Sequence, residues 1–301
     1  MGKDFNTVYD REKKTCYKEK IYGYKQLNFY YNTFWGRVGV KIITWRFLSK
    51  LYGWYMSSKF SVKKIEKFIE ANNIDMSEYE NKEYASFNEF FARKILPENR
   101  KIDSNENALI SIADSKLKYV KITEDVRLKI KNTTYSVEEL VKDKELASKY
   151  INGDCLIFRL TVSDYHRYCY LDNGRQGKNR KIKGVLHTVN SISQDKYKIY
   201  AQNAREYTVL DTEHFGQVVQ VEVGALQVGK IKNHNENNEF CKGEEKGYFE
   251  YGGSTIILLF ENGRVKMDED IVENSMRDIE TKVKLGERIG EITKNIVCVG
   301  G

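Results

Sequence analysis

The chain has 301 residues, of which 31% are charged, 41% hydrophobic and a single one proline. That length buries at least one sizeable core, and the composition excludes a collagen, a Pro/Ser-rich disordered chain and a multi-span membrane protein. The net charge of +7 is unevenly placed: residues 1–60 carry 12 Lys/Arg against 4 Asp/Glu, so this end holds +8 and the remainder −1. The same sixty residues contain all three tryptophans and 16 of the aromatic side chains. The excess charge belongs to one aromatic-rich end.

The start of the chain (Met1-Gly-Lys-Asp-Phe-Asn) is polar and lacks the apolar core of a secretory signal. Five widely spaced cysteines with no CxxC pair point to reduced thiols rather than a disulfide scaffold or structural zinc. Residues 26–60 read as helical in pieces, broken near Gly36, Gly39 and Gly53. Within them, residues 38–56 come closest to a membrane-spanning length of about 18–20 apolar residues, but Lys41, Arg46 and Lys50 interrupt the run. Their apolar side chains lie nearly all round a helix, with basic ones scattered among them. Two readings stand: a helix packed on the body with its lysines reaching outward, or a Trp/Tyr/Lys/Arg surface for anionic lipid headgroups.

Two further helices are expected. Ser61 can cap one running to about Ala71, with Val62, Ile65, Phe68 and Ile69 on one face. Ser86-Phe-Asn-Glu89 has the spacing of a capping box, followed by a stripe of Phe87, Phe90, Phe91 and Ile95 that Pro97 ends. After residue 105 the period changes to short β-branched or alternating runs: 117–122, 126–130, 156–162, 184–189, 218–223 and 255–260, with one helix over 136–150. The fold class is therefore α+β, with a basic, aromatic and mainly helical part over 1–100 and a β-rich body over 101–301.

Generic catalytic motifs (HExxH, a P-loop, GxGxxG after a strand, GxSxG) are absent. Three segments remain: 112–117 around Asp114, 164–170 around His166, and 242–255 ending in Gly252-Gly-Ser-Thr255. Each has an ordinary explanation, as a turn aspartate, a hydrogen-bonded histidine and a hairpin entry. Together they supply an Asp, a His and a Ser, the parts of a charge-relay triad, although sequence does not bring them together in space.

These segments resemble the phosphatidylserine decarboxylase family of pyruvoyl-dependent enzymes. The likeness lies in Ser86-Phe-Asn-Glu-Phe-Phe-Ala-Arg-Lys94, Ala113-Asp-Ser-Lys-Leu117, Asp164-Tyr-His-Arg-Tyr168 and residues 184–190. It continues through Asn203-Ala-Arg-Glu206, Phe215-Gly216, Val223-Gly-Ala-Leu-Gln-Val-Gly229 and 242–255, covering roughly residue 26 to the C-terminus.

The resemblance implies a proenzyme that cuts itself between Gly253 and Ser254, into a long chain of 1–253 and a short chain of 254–301 that remain partners. Ser254 becomes a covalent pyruvoyl cofactor, which condenses with the amine of phosphatidylserine as a Schiff base and takes up the electrons freed as CO2 leaves, giving phosphatidylethanolamine. Two adjacent glycines suit the strained turn such a bond needs, and a serine hydroxyl needs a base. Asp114 and Ser254 match the family relay directly. Many members carry a second histidine three residues after the first, where this chain has Cys169. His166 is the preferred relay base, His187 the alternative, and Cys169 is disfavoured because an ordinary thiol is mostly protonated at neutral pH.

No metal is implied, and no nucleic-acid motif accompanies the basic end. A lipid substrate gives that end a purpose: peripheral binding to the anionic cytoplasmic face of the cell membrane. A homo-oligomer is left open. The alternative function is an inactive or divergent homologue that binds membranes or acts on another serine-containing substrate.

Overall fold

The computed structural model describes residues 5–21, 23–33, 35–36, 39, 46–125, 127–130, 133–185, 198–224, 230–252 and 254–293. The strand Ser254–Phe260 lies at the heart of the body, and all seven of its residues are buried. It pairs antiparallel with Asp154–Leu160 on one side (Ser254 opposite Leu160) and with Gly216–Val223 on the other (Thr255 opposite Val223). A strand covered on both faces has no solvent side, so its apolar residues run continuously instead of alternating. Ile256, Leu258, Leu156 and Phe158 enter one core. Ile257, Leu259, Ile157 and Val221 enter the other.

Among the described residues these strands belong to an 11-stranded sheet. From the central trio, Asp154–Leu160 passes the pairing to Ser115–Lys121 and then to Glu280–Val283. On the opposite side Gly216–Val223 leads to Arg205–Thr212 and outward to shorter strands. A three-stranded sheet of Ile231–Asn233, Glu245–Phe249 and Arg167–Cys169 adjoins it. The architecture is α+β, with the expected strands near 117–122, 126–130, 156–162, 218–223 and 255–260 in place. The run over 184–189 lies mostly outside the described residues.

The N-terminal part differs from its expected helical character in its first twenty residues. Phe5–Asp10 and Thr15–Lys20 form a hairpin with Phe5 opposite Lys20, and the first of these strands extends the main sheet by parallel pairing with Glu280–Val283. Arg11 secures it with ion pairs to Asp268, Asp270 and Glu287. Alternation in Thr-Cys-Tyr-Lys-Glu-Lys is masked by its exposure at the sheet edge, where lysines discourage further pairing. The sheet therefore joins residues on both sides of position 100.

The helices follow: Tyr24–Asn32, Arg46–Met56, Ile65–Asn72 and the short Phe87–Phe91. Ser61 does not cap a helix. It is buried in a 3-10 turn over Lys59–Lys64, its hydroxyl donating to Met56 and Ser58 carbonyls and accepting from Phe87 N–H at 2.9 Å. Ser86 does cap, accepting from Glu89 N–H at 3.2 Å, but Glu89 returns its carboxylate to Ala85 N–H, one residue earlier than a regular box. This helix stops before Ile95 because Arg167 takes the Ala92 carbonyl at 2.7 and 2.9 Å. Residues 136–150 hold two helices, Val137–Val141 and Lys144–Ser148, split where Lys142 turns left-handed (φ 57°) and Asp143 caps the second.

The aromatic cluster of this end is continuous with the body. Phe87 packs edge-on against Phe68 at 5.0 Å and Tyr251 at 4.9 Å. Truncating such a fully buried ring leaves a cavity, so Phe87→Ala is expected to lower unfolding free energy by about 3–5 kcal/mol, measured by urea denaturation.

Candidate active site

Ser254 opens the central strand, fully buried, and its hydroxyl has no hydrogen-bond partner among the described residues. The Thr255 hydroxyl is in the same condition. Such orphaned groups are rare in native interiors. The approach to Ser254 is tightly held: Phe249 N–H donates to the His166 carbonyl at 3.0 Å, and Tyr251 N–H donates to Asn88 Oδ1 at 3.2 Å. The Tyr251 ring lies on Phe87 and Phe91. Gly252 then adopts φ 127°, a conformation that side-chain-bearing residues avoid. Gly253 falls outside the described residues.

His166 follows the turn that ends Asp154–Leu160. Asp164 shapes this turn, its carboxylate accepting from Thr161 N–H at 2.7 Å and from the Thr161 hydroxyl at 2.8 Å. The main-chain oxygen of Asp164 accepts from His166 Nδ1 at 2.8 Å. A carbonyl can only accept, so Nδ1 carries the proton and Nε2 presents a lone pair. Nε2 is buried and makes no hydrogen bond of normal geometry. Phe91 covers the ring at 4.2 Å. Burial pushes the imidazole down to about 4, opposed only in part by the main chain of Asp164 and Gly252, whose influence places Gly252 beside the ring.

Asp114 sits elsewhere in the network. Arg100 engages both carboxylate oxygens, at 2.6 to 3.1 Å, and Leu285 N–H donates to Oδ1 at 2.8 Å. With both oxygens occupied, Asp114 makes no hydrogen bond to His166. The expected Asp114–His166–Ser254 relay is thus not assembled as a continuous chain; the partner that orients the histidine is the Asp164 carbonyl. Cys169 lies next to the Asp114 segment, donating its N–H to the Ile112 carbonyl at 3.0 Å. Burial pushes its thiol up to about 12, so it is protonated at neutral pH. His187 lies outside the described residues. His214 has a carboxylate partner, Asp172 at 2.9 Å, but occupies the turn at the far end of the strand whose Val223 faces Thr255.

Sequence reasoning missed Asn88 and the Asp164 side chain. Asn88 stood inside a helical stripe, where a hydrogen bond to residue 251 has no local signal. The Asp164 carboxylate accepts from Lys116, 48 positions away.

The family sequence pattern described as "Phosphatidylserine decarboxylase" matches residues 87–291. Over 286 residues the chain is 54% identical to the phosphatidylserine decarboxylase proenzyme 2 of Clostridium acetobutylicum, covering 95% of this chain and 98% of that one. The chain belongs to the phosphatidylserine decarboxylase family. It is also 40% identical over 288 residues to the proenzyme of Desulfitobacterium hafniense, covering 94% of this chain and 97% of the relative. To that of Fusobacterium nucleatum it is 42% identical over 296 residues, covering 95% and 98%. The family match spans Asp114, His166 and Ser254 alike, whereas the N-terminal hairpin precedes it.

The buried histidine makes a measurable prediction for this family member. Its neutral form dominates down to pH about 4, against 6.5 for a free imidazole. Between those values the unfolded chain binds a proton that the folded one refuses, so this contribution to stability is present above 6.5 and is lost as pH falls through the window. NMR titration is expected to give His166 a midpoint near 4; a midpoint near 6.5 would show that the ring is not enclosed.

Proposed function

We propose that this chain cuts its own Gly253–Ser254 bond, converts residue 254 into a pyruvoyl group, and uses it to decarboxylate phosphatidylserine to phosphatidylethanolamine. The observation that carries the reading is the Ser254 hydroxyl, buried and without a hydrogen-bond partner among the described residues. Leaving a polar group buried and unbonded costs about 1–3 kcal/mol, so such a hydroxyl suits a group kept for chemistry.

In self-cleavage His166 is the base. Its Nε2 removes the Ser254 hydroxyl proton as Oγ adds to the Gly253 carbonyl carbon. The carbon–nitrogen bond breaks, the nitrogen takes the proton back from the imidazolium, and an ester replaces the amide. Loss of the Ser254 α-proton and the ester oxygen leaves the long chain ending in the Gly253 carboxylate. Water then releases ammonia from residue 254. Asp114 contributes from a distance, by fixing Leu285 of the future short chain against the long one. The short chain stays in place because its first strand is paired along both edges.

The residues present fit a pyruvoyl group, since it would be built from a serine whose hydroxyl is already free and enclosed. Once formed, its carbonyl supplies an electrophile for the substrate amine and a sink for the electron pair released with CO2. The start of the central strand would hold it, and His166 would return a proton to the substrate carbon.

The lipid reading also draws on the N-terminal helices. Trp54 and Phe60 are each 75% exposed and Trp35 73%, while Lys59, Lys63 and Lys67 are exposed close by in sequence. From the same helix as Trp54, Tyr52 touches Tyr251 with ring centres 6.2 Å apart. The aromatic surface therefore adjoins the approach to Ser254, as peripheral binding to the anionic cytoplasmic face of the cell membrane would require. Among the described residues no helix is long and apolar enough to cross a membrane.

Ser254→Ala is expected to remain a single chain and to release no CO2 from phosphatidylserine vesicles. Cleavage or CO2 release by this variant would overturn the proposal. Trp54→Ala with Phe60→Ala is expected to weaken sedimentation with anionic vesicles. That is a cleaner test than removing residues 1–60, which would strip two strands from the main sheet.

A further inference from the structure

Three cationic side chains stand in one row across adjacent strands, ending beside the cleavage position. Lys282 is opposite Lys116, Lys116 is opposite Arg159, and Arg159 is opposite Thr255. Lys116 and Arg159 are both buried. Directly opposed like charges destabilise a strand pair, and burial removes the water that would screen them. The row needs carboxylates, and it receives them from separate parts of the chain. Lys116 Nζ meets Asp164 at 2.7 and 2.8 Å, and Arg159 meets Glu280 at 2.5 and 2.8 Å. The N-terminal hairpin supplies the rest. Asp10 meets Lys282 at 3.1 Å, and Glu19 reaches over both buried cations, with Oε1 3.2 Å from Lys116 and Oε2 2.7 Å from Arg159.

We propose that Glu19 is a positioning residue for self-cleavage, bridging the opposed Lys116 and Arg159 so that Asp164 and the start of the central strand hold their places. The inference rests on the self-processing reading above and extends it to a hairpin outside the family match. The path is short. Lys116 is fixed between Glu19 and Asp164, and the carboxylate of Asp164 shapes the turn whose carbonyl orients His166. On the other branch Arg159 is fixed between Glu19 and Glu280, opposite Thr255 and adjacent to the Leu160–Ser254 pair. Neutralising Glu19 leaves two buried cations facing each other with one carboxylate apiece. The strand register at residues 159–160 and the turn at 161–164 then carry the repulsion. Both displacements move the two groups that must meet, Ser254 Oγ and His166 Nε2.

The experiment follows appearance of the short chain after synthesis of the full-length proenzyme in a cell-free system. Glu19→Gln is expected to slow cleavage by about tenfold or more, the scale of a disturbed buried charge pair. Glu19→Asp keeps the charge and is expected to recover part of the rate. Glu12→Gln, in the exposed hairpin pair with Lys284, is expected to cleave like the parent. Should the Gln variant fail to fold by circular dichroism, Glu19→Asp decides: folded and slow supports the proposal, folded and as fast as the parent overturns it. A folded Glu19→Gln that cleaves at the parent rate overturns it as well. Ser254→Ala runs alongside. Cleavage in that variant would refute self-processing at Ser254 itself, whereas a normal rate in the Glu19 variants alone would refute only the role of the hairpin.

Discussion

Everything in this molecule depends on one strand being held from both sides. Ser254–Phe260 is paired along its length with Asp154–Leu160 and over most of it with Gly216–Val223, and its side chains fill two cores. A residue at the start of such a strand has little freedom of its own. Its position is set by the register of its neighbours, and the approach from Phe249 to Gly252 is pinned by His166, Asn88 and the Phe87–Phe91 helix. A backbone held this firmly keeps Gly252 at φ 127° and leaves the Ser254 hydroxyl unbonded among the described residues.

The same arrangement reconciles a cut in the backbone with an intact protein. A break ahead of Ser254 would leave both ladders of the strand untouched. The Asp114–Leu285 bond and the Arg159–Glu280 pair also join residues on opposite sides of the break. The N-terminal hairpin adds Arg11 with Asp268, Asp270 and Glu287. In the assembled sheet His166 and Ser254 are both fully buried.

Much of this was legible beforehand, for reasons that separate local from distant interactions. Continuous apolar runs such as Thr-Ile-Ile-Leu-Leu-Phe announce buried strands, and the Ser86 cap shows in its spacing, because both signals are confined to neighbouring residues. The helix end at Ala92 was hidden because Arg167 sets it from 75 positions away. The hairpin over 5–20 was hidden because an exposed edge strand with lysines carries no apolar alternation. For the site, Ser254 and His166 were visible as motif residues. The partner of Asp114 was not: an arginine at position 100 has no motif to announce it. Glu19, Lys116 and Asp164 each looked like an ordinary charged residue, and only the register of the strands makes them one network.

In the proposed function the chain cleaves itself at Ser254 and converts that residue. Intact-mass spectrometry of purified protein tests it most directly. Two associated chains are expected, residues 1–253 and a short chain starting at position 254. The short chain is predicted to be lighter than its unmodified sequence by one ammonia and to resist Edman sequencing. A single uncut chain, or a short chain with an ordinary amino-terminal serine, would contradict it.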